Sequence, residues 1–405
     1  MLERAQGGAA DGTVKVSGTG RQHEIVQASA TVVAIQYLRA LAASLIVFHH
    51  AMAAPLLHPY YPHAFGEFGV DLFFVISGCI MWRTTVSSRR SPAGFFAARV
   101  VRIVPLYWLY TTLFLGVALL VPRALSTLPG LDPVFVLKSY LFVPAVHPHF
   151  GGVVPLYSLG WTLNYEMFFY LVFGLALLLP QPRHRIAFLA AVLLLLVSLG
   201  GWTLPASPIL ATYTDPLLLE FLAGVVLAVL APRLMRSSAT LGALLIAAGA
   251  GGLLLALSSD ELPKRILAYG VPAAAIVAGA LVLEPTLRRA VSRPGLLLGD
   301  ASYSIYLAHP FAQRLWLLAV GGLLPENVGP AGLAVQVAAA VAAGLLGGVL
   351  SYRFIERPLL AAGHRLIGRR ALSRRSAAIE SHRPDHYGNL ISEAKLPRER
   401  TGDFM

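Results

Sequence analysis

About ten stretches of this chain stay apolar for roughly 20 residues each, the length a helix needs to cross a bilayer. They lie near 32–54, 66–83, 100–121, 156–180, 185–204, 209–231, 239–258, 265–284, 296–320 and 331–353. Backbone N–H and C=O groups in lipid must be satisfied within the segment, so runs of this kind fold as helices. The residue content agrees: 56% of the 405 residues are hydrophobic and 13% are charged, where a soluble domain carries about 25% charged residues. The expected fold is all-α, a polytopic transmembrane helix bundle. Its single cysteine, Cys79, lies in an apolar run and excludes an intramolecular disulfide.

Loop charge predicts the orientation. The loop after the second run carries Arg83, Arg89, Arg90, Arg99 and Arg102. The fourth is followed by Arg183 and Arg185, the sixth by Arg233 and Arg236, and the eighth by Arg288, Arg289 and Arg293. The tail after the tenth is dense in arginine, from Arg365 to Arg375. Alternate loops are poorer: Arg123 and Lys138, then none, then Lys264 and Arg265 offset by Asp260 and Glu261, then only Glu326. Positive charge collects on the cytoplasmic side, so an even number of spans with both termini in the cytoplasm is expected. The net charge of +12 therefore reads as topology, not as a nucleic-acid surface. Residues 1–31 lack the apolar core of a signal peptide; they and residues 361–405 are expected to be disordered cytoplasmic tails flanking a membrane domain over 32–360. The segment Phe135–Val146 is too short to cross and is expected at the outer interface or as a re-entrant piece. No Walker A loop, GxGxxG or internal repeat is present, which argues against an ATP-driven pump.

Polar residues inside the apolar runs carry the functional reading, because such groups are expensive in lipid. In YLRALAASLIVFHH, Arg39 and His50 are eleven residues apart. On a helix that is three turns plus about 20°, so they share one face about 16 Å apart, and His49 points about 80° away. Arg39 falls on the inner side and His50 in the outer half; snorkelling of Arg39 and end-capping by His50 are the bland alternatives. Asp71 enters the second run from the outer side at a depth similar to His50, as a partner for it or as a helix N-terminal acid. Arg99 and Arg102, three apart, share a face at the inner boundary, where they suit a phosphate or simply mark topology. Asn164 and Glu166 lie well inside the fourth run, and Glu166 is placed to meet His50 or to clasp a neighbouring helix. Ser302, Tyr306 and His309 form a polar stripe on the ninth, beside Tyr303 and Ser304. The HPH at 147–149 is too short of ligands for a metal site, and no metal is expected. A transporter or flippase of a glycolipid or small anion, with His50, Glu166 and His309 as a proton relay, would use the same parts.

The segments YLRALAASLIVFHH, FGVDLFFVISG, RVVRIVPLYW, SLGWTLNYEMFFY, SYSIYLAHP and SYRFIERP, in this order, resemble the membrane acyltransferase family 3, and most nearly its exopolysaccharide-type acetyltransferases. The resemblance runs from Ile35 to about Leu360. The family's arginine–ten residues–histidine motif falls on Arg39 and His50, its RxxR on Arg99 and Arg102, and its acidic residue after a W-[TS]-L segment on Glu166. The soluble domain that many members carry after the last span has no counterpart in the basic tail here.

What this resemblance implies is an enzyme of the inner (plasma) membrane. It would move an acyl group, usually acetyl, from cytoplasmic acyl-CoA to a hydroxyl of a carbohydrate or glycolipid, beside polysaccharide-assembly proteins. The phosphates of acetyl-CoA would dock on Arg39, Arg99 and Arg102. His50 would act as general base, with Glu166 or Asp71 orienting it, or would itself be acylated. Asn164, Tyr303, Tyr306 and His309 would line the path of the substrates.

Overall fold

The computed structural model describes residues 32–52, 66–88, 91–120, 132–149, 151–202, 207–258, 265–320 and 329–367. Among these the chain is helical, with a single isolated bridge between Val146 and Val153 as its β-structure. The helices are α1 (Val33–Met52), α2 (Phe68–Ser88), α3 (Pro92–Leu120), the short α4 (Pro133–Tyr140), α5 (Trp161–Ala176), α6 (Pro182–Trp202), the short α7 (Pro208–Tyr213), α8 (Leu218–Leu234), α9 (Ala239–Leu257), α10 (Val271–Leu287), α11 (Arg293–Asp300), α12 (Ser302–Val320) and α13 (Pro330–Ser351).

Among the described residues, eight helical segments are long and apolar enough to cross a membrane. The two other expected runs are also helical but miss that measure: α5 has 16 residues, and α12 carries the polar stripe of the SYSIYLAHP segment. The Phe135–Val146 segment holds α4 and then irregular chain. The last helix continues through a π-helical turn, Tyr352–Glu356, to residue 367, past the boundary expected near 360. Both expected tails lie almost wholly outside the described residues.

Helices α1, α2 and α10 form the centre, while α6, α9 and α13 present most of their surface outward. Helix association in lipid depends on close packing, since the solvent is as apolar as the side chains, so small residues mark the tightest crossings. On α2 and α8 this is reciprocal: a Cβ on Gly78 would strike the Phe221 carbonyl, and one on Gly224 would strike the Val75 carbonyl. Phe221 then stacks between Phe74 and Phe169, with ring centroids 4.6 Å away on each side.

The start of α1 is pinned by a residue 250 positions away. The buried Glu284 of α10 accepts hydrogen bonds from the Val33 and Ala34 amides at 3.1 and 2.7 Å. These amides are among the unsatisfied donors of a helix N-terminus, where the dipole also favours a negative charge. Arg288, one turn further on, donates to the same carboxylate at 2.6 Å. Helix α11 packs beside this end, where Gln36 donates to Asp300 at 2.6 Å. Thus α1 is held at its start, and α12, which follows α11 directly, runs alongside it in the same direction.

Candidate active site

A cavity of about 470 Å³ lies between α1, α2, α3, α5, α12 and the last helix, lined by Arg39, Arg99, Arg102, His364, Glu166 and Tyr306 among others. The three arginines are held differently. Arg39 donates to the amide oxygen of Gln36 at 2.8 Å, and Gln36 is itself fixed by Asp300. A neutral amide orients the guanidinium without cancelling its charge. Arg99 lies over the Phe95 ring at 5.7 Å, and its buried Nε has no hydrogen-bond partner. Arg102 instead forms an ion pair with Glu356, which is 1% exposed. The π-turn at the end of α13 places Glu356 there, and Ser304 donates to its other oxygen at 2.6 Å. The expected RxxR pair therefore divides: Arg99 lines the cavity with its buried Nε unpartnered, and Arg102 is anchored.

Deeper in the cavity wall, Glu166 accepts from Ser77 at 2.9 Å and from Tyr170 one turn along α5. Tyr303 donates to the Ile103 carbonyl at 2.8 Å with Arg102 over its ring. Tyr306 donates to the Leu159 carbonyl at 2.6 Å and lies 2.9 Å from the Thr162 hydroxyl. With their protons committed to backbone carbonyls, both phenols act as fixed wall. Ser302 differs: its buried hydroxyl lines the cavity without a partner.

His50 stands beyond this wall. The rings of Phe73 and Tyr306, 6.4 Å apart, lie at the end of the cavity, and one turn past Tyr306 comes His309. His309 is fully buried; its Nε2 lies 3.2 Å from Nδ1 of His50, and its own Nδ1 lies 2.9 Å from the Ile305 carbonyl. Pro310 has no N–H, which leaves the Tyr306 carbonyl without its helical donor; the His309 ring supplies one. Nδ1 of His50 lies 2.9 Å from the Ile46 carbonyl. A ring nitrogen facing a carbonyl must carry the proton, so both rings are Nδ1–H tautomers when neutral. The single Nδ1–H of His50 is then shared between the Ile46 carbonyl and Nε2 of His309, and Nε2 of His50 carries a lone pair. His50 is half-buried. His49 takes another course and packs on Gly66.

Two expected partners of His50 lie elsewhere. Asp71 is paired with Arg265, which donates to its two oxygens at 3.3 and 3.0 Å. Glu166 spends its hydrogen bonds on Ser77 and Tyr170. The physical reason is supply: a carboxylate shielded from water takes the nearest strong donor, and a guanidinium or a phenol outcompetes a neutral imidazole. The relay of His50, Glu166 and His309 is correspondingly not assembled; the two histidines meet and Glu166 faces the cavity. Asn164 is buried on α5 but does not line the cavity. His147 is pushed below the usual histidine range by burial and by neighbouring His149, and no group of three or more His, Cys, Asp or Glu able to hold a metal occurs among the described residues.

Sequence reasoning passed over Arg265, Glu220, Glu284 and Glu356. Three of these are carboxylates inside or at the end of apolar runs, and the cost of such groups in lipid was the available signal. Arg265 was discounted as a loop charge.

Residues 32–353 match the family described as an acyltransferase domain, acyltransferase family 3. The chain belongs to that family. It is a membrane acyltransferase. The exopolysaccharide production protein ExoZ of Rhizobium meliloti (strain 1021) is 41% identical over 303 residues, covering 74% of this chain and 90% of the relative. A protein of Komagataeibacter xylinus that carries the name of a membrane-bound transacylase, BcsY, is 29% identical over 341 residues, covering 80% and 81%. No solved structure matches the chain.

Proposed function

We propose that this acyltransferase moves an acyl group, acetyl by preference, from acyl-CoA in the cytoplasm to a hydroxyl of an exported carbohydrate, in the inner membrane of the cell. The observation that carries the reading is the polarity of the site: a cavity lined by three guanidinium groups, of which Arg39 is held by a neutral amide, at one end of α1, and a half-buried histidine at the other. The names of the relatives support the carbohydrate acceptor. The anionic phosphates of the donor suit Arg39 and Arg99, because a guanidinium binds phosphate through charge-assisted hydrogen bonds. Arg102, locked to Glu356, positions the Tyr303 wall. The pantetheine arm then follows the cavity toward the wall formed by Phe73 and Tyr306, the side from which the thioester approaches His50.

Nε2 of His50 takes the proton of the acceptor hydroxyl as its oxygen attacks the thioester carbonyl. The tetrahedral intermediate collapses with cleavage of the C–S bond. The departing thiolate recovers the proton from the imidazolium, so the products are an ester and free CoA. Through the transfer the Ile46 carbonyl and His309 together hold the ring of His50 in the tautomer that leaves Nε2 unprotonated, the role expected of a carboxylate.

The test is thiol release and acyl transfer by the purified protein with labelled acetyl-CoA. His50→Ala should lower the rate by about 10²-fold or more, the usual contribution of a general base, with donor binding unchanged and His49→Ala as control. Activity near wild type in a folded His50→Ala protein would sink the assignment.

A further inference from the structure

A second charged cluster, outside the arginine cavity, adjoins His50 on its far side. It centres on Arg265, which donates to Glu67 at 2.6 Å and to both oxygens of Asp71. A π-helical turn, Ile266–Gly270, follows Arg265 directly, and such turns frequently occur at functional positions. Two aromatic rings flank the guanidinium: Trp161 at 6.0 Å and Tyr269 at 5.6 Å. The hydroxyl of Tyr269 is buried without a hydrogen-bond partner, although the residue is only 4% exposed. Beneath them the buried Glu220 lies against Asp71 and against Gly270.

Three features separate this cluster from a structural ion pair. Its upper members remain open, with the Arg265 side chain 30% and the Glu67 side chain 44% exposed. It is close to the base in the fold: Glu67 follows Gly66, which packs on His49, the chain neighbour of His50. It also combines aromatic faces, a guanidinium and carboxylates, which together suit the apolar faces and the many hydroxyls of a sugar.

We propose that Trp161, Glu67 and Arg265 form the binding site for the carbohydrate acceptor, with Tyr269 behind the guanidinium, and that its charge selects a neutral sugar over an anionic one. The proposal rests on the acyl-transfer reading above. The donor cavity occupies one side of the Phe73–Tyr306 pair, so the hydroxyl must come to His50 from the other side, where this cluster lies. The charge follows from the described residues. One guanidinium stands against Glu67, Asp71 and Glu220, with Asp215 close by. Even with Asp71 and Glu220 sharing one negative charge, the group sums to negative. Like charge placed against such a site is a strong basis for rejecting a wrong partner.

Calorimetric binding to the purified protein, without donor, tests this independently of thioester chemistry. The probes are a neutral hexose oligosaccharide and an oligouronate of the same length. The neutral oligosaccharide should bind more tightly than the oligouronate, and Trp161→Ala should weaken it by about tenfold, as loss of an aromatic anchor does, while Trp161→Phe restores part. Glu67→Gln, a half-exposed conservative change, should narrow the gap between the two probes by severalfold at low salt. Equal neutral binding by wild type and Trp161→Ala would overturn the proposal, as would tighter oligouronate binding by wild type or a gap unmoved in Glu67→Gln. Thiol release from acetyl-CoA on the same preparations reports separately on the reaction itself: a protein that binds the sugar but releases no thiol would refute the acyl-transfer reading and leave the sugar site standing.

Discussion

Two guanidinium groups, Arg39 and Arg265, stand on opposite sides of the same histidine and are treated in opposite ways. Arg39 is oriented by the neutral amide of Gln36, so its positive charge survives into the cavity. Arg265 is clamped by Asp71 and Glu67, whose carboxylates more than cancel its positive charge. The difference teaches that an arginine near a membrane site reveals its task through its partner. A neutral partner leaves charge for an anionic ligand; a carboxylate partner turns the same group into a hydrogen-bonding fixture. Arg102, bound to Glu356, belongs with Arg265 despite lying three residues from Arg99.

This contrast is sharpest in paired substitutions. Arg265→Gln leaves the buried Asp71 uncompensated and should destabilise the protein by roughly 3–5 kcal/mol, read as a fall in Tm in detergent, with acetyl-CoA affinity unchanged in whatever fraction stays folded. Arg39→Gln should do the reverse: Tm within a few degrees of wild type, and acetyl-CoA affinity down about tenfold or more, with a shallower dependence on salt. If Arg39→Gln unfolds the protein, or Arg265→Gln weakens donor binding, the two sites are not distinguished by their partners.

A smaller effect is expected between the sites. His309→Ala should lower kcat by roughly tenfold, because His50 loses one of the two acceptors that orient its ring, while the KM for the donor stays level. The pH–rate profile, which should rise as imidazole becomes neutral, should move in this variant. A merely structural His309 would leave the profile in place. Smallest of all is Tyr303→Phe. It removes one hydrogen bond to the Ile103 carbonyl, at a cost of about 1 kcal/mol, and donor affinity should change less than twofold if the phenol is wall and not ligand.

Much of this was legible along the chain. The expected apolar runs coincide with helices, and the interval from Arg39 to His50 set them on one helix with His49 turned aside. The acyltransferase family was legible in the ordered motifs. What failed were the pairings assigned by depth. Asp71 and Glu166 were each given to His50 because all three lie within the bilayer, but depth is one coordinate and a hydrogen bond needs three. Arg265, 194 positions from Asp71, and Ser77, 89 positions from Glu166, claimed those carboxylates instead.

The sequence alone determined that the chain lives in lipid, which residues are too costly there to be idle, and which of them share a helix face, because these depend on hydrophobicity and on the 3.6-residue turn. Only the tertiary structure decided which polar group satisfies which. That depends on helix crossings such as Gly78 against Phe221 and Gly224 against Val75, where backbones approach to contact. It depends equally on α1 and α12 running side by side, which brings His309 within 3.2 Å of His50 across 259 positions. In lipid a buried polar group has no water to fall back on, so the neighbour that packing supplies becomes its partner, and that partner sets its chemistry.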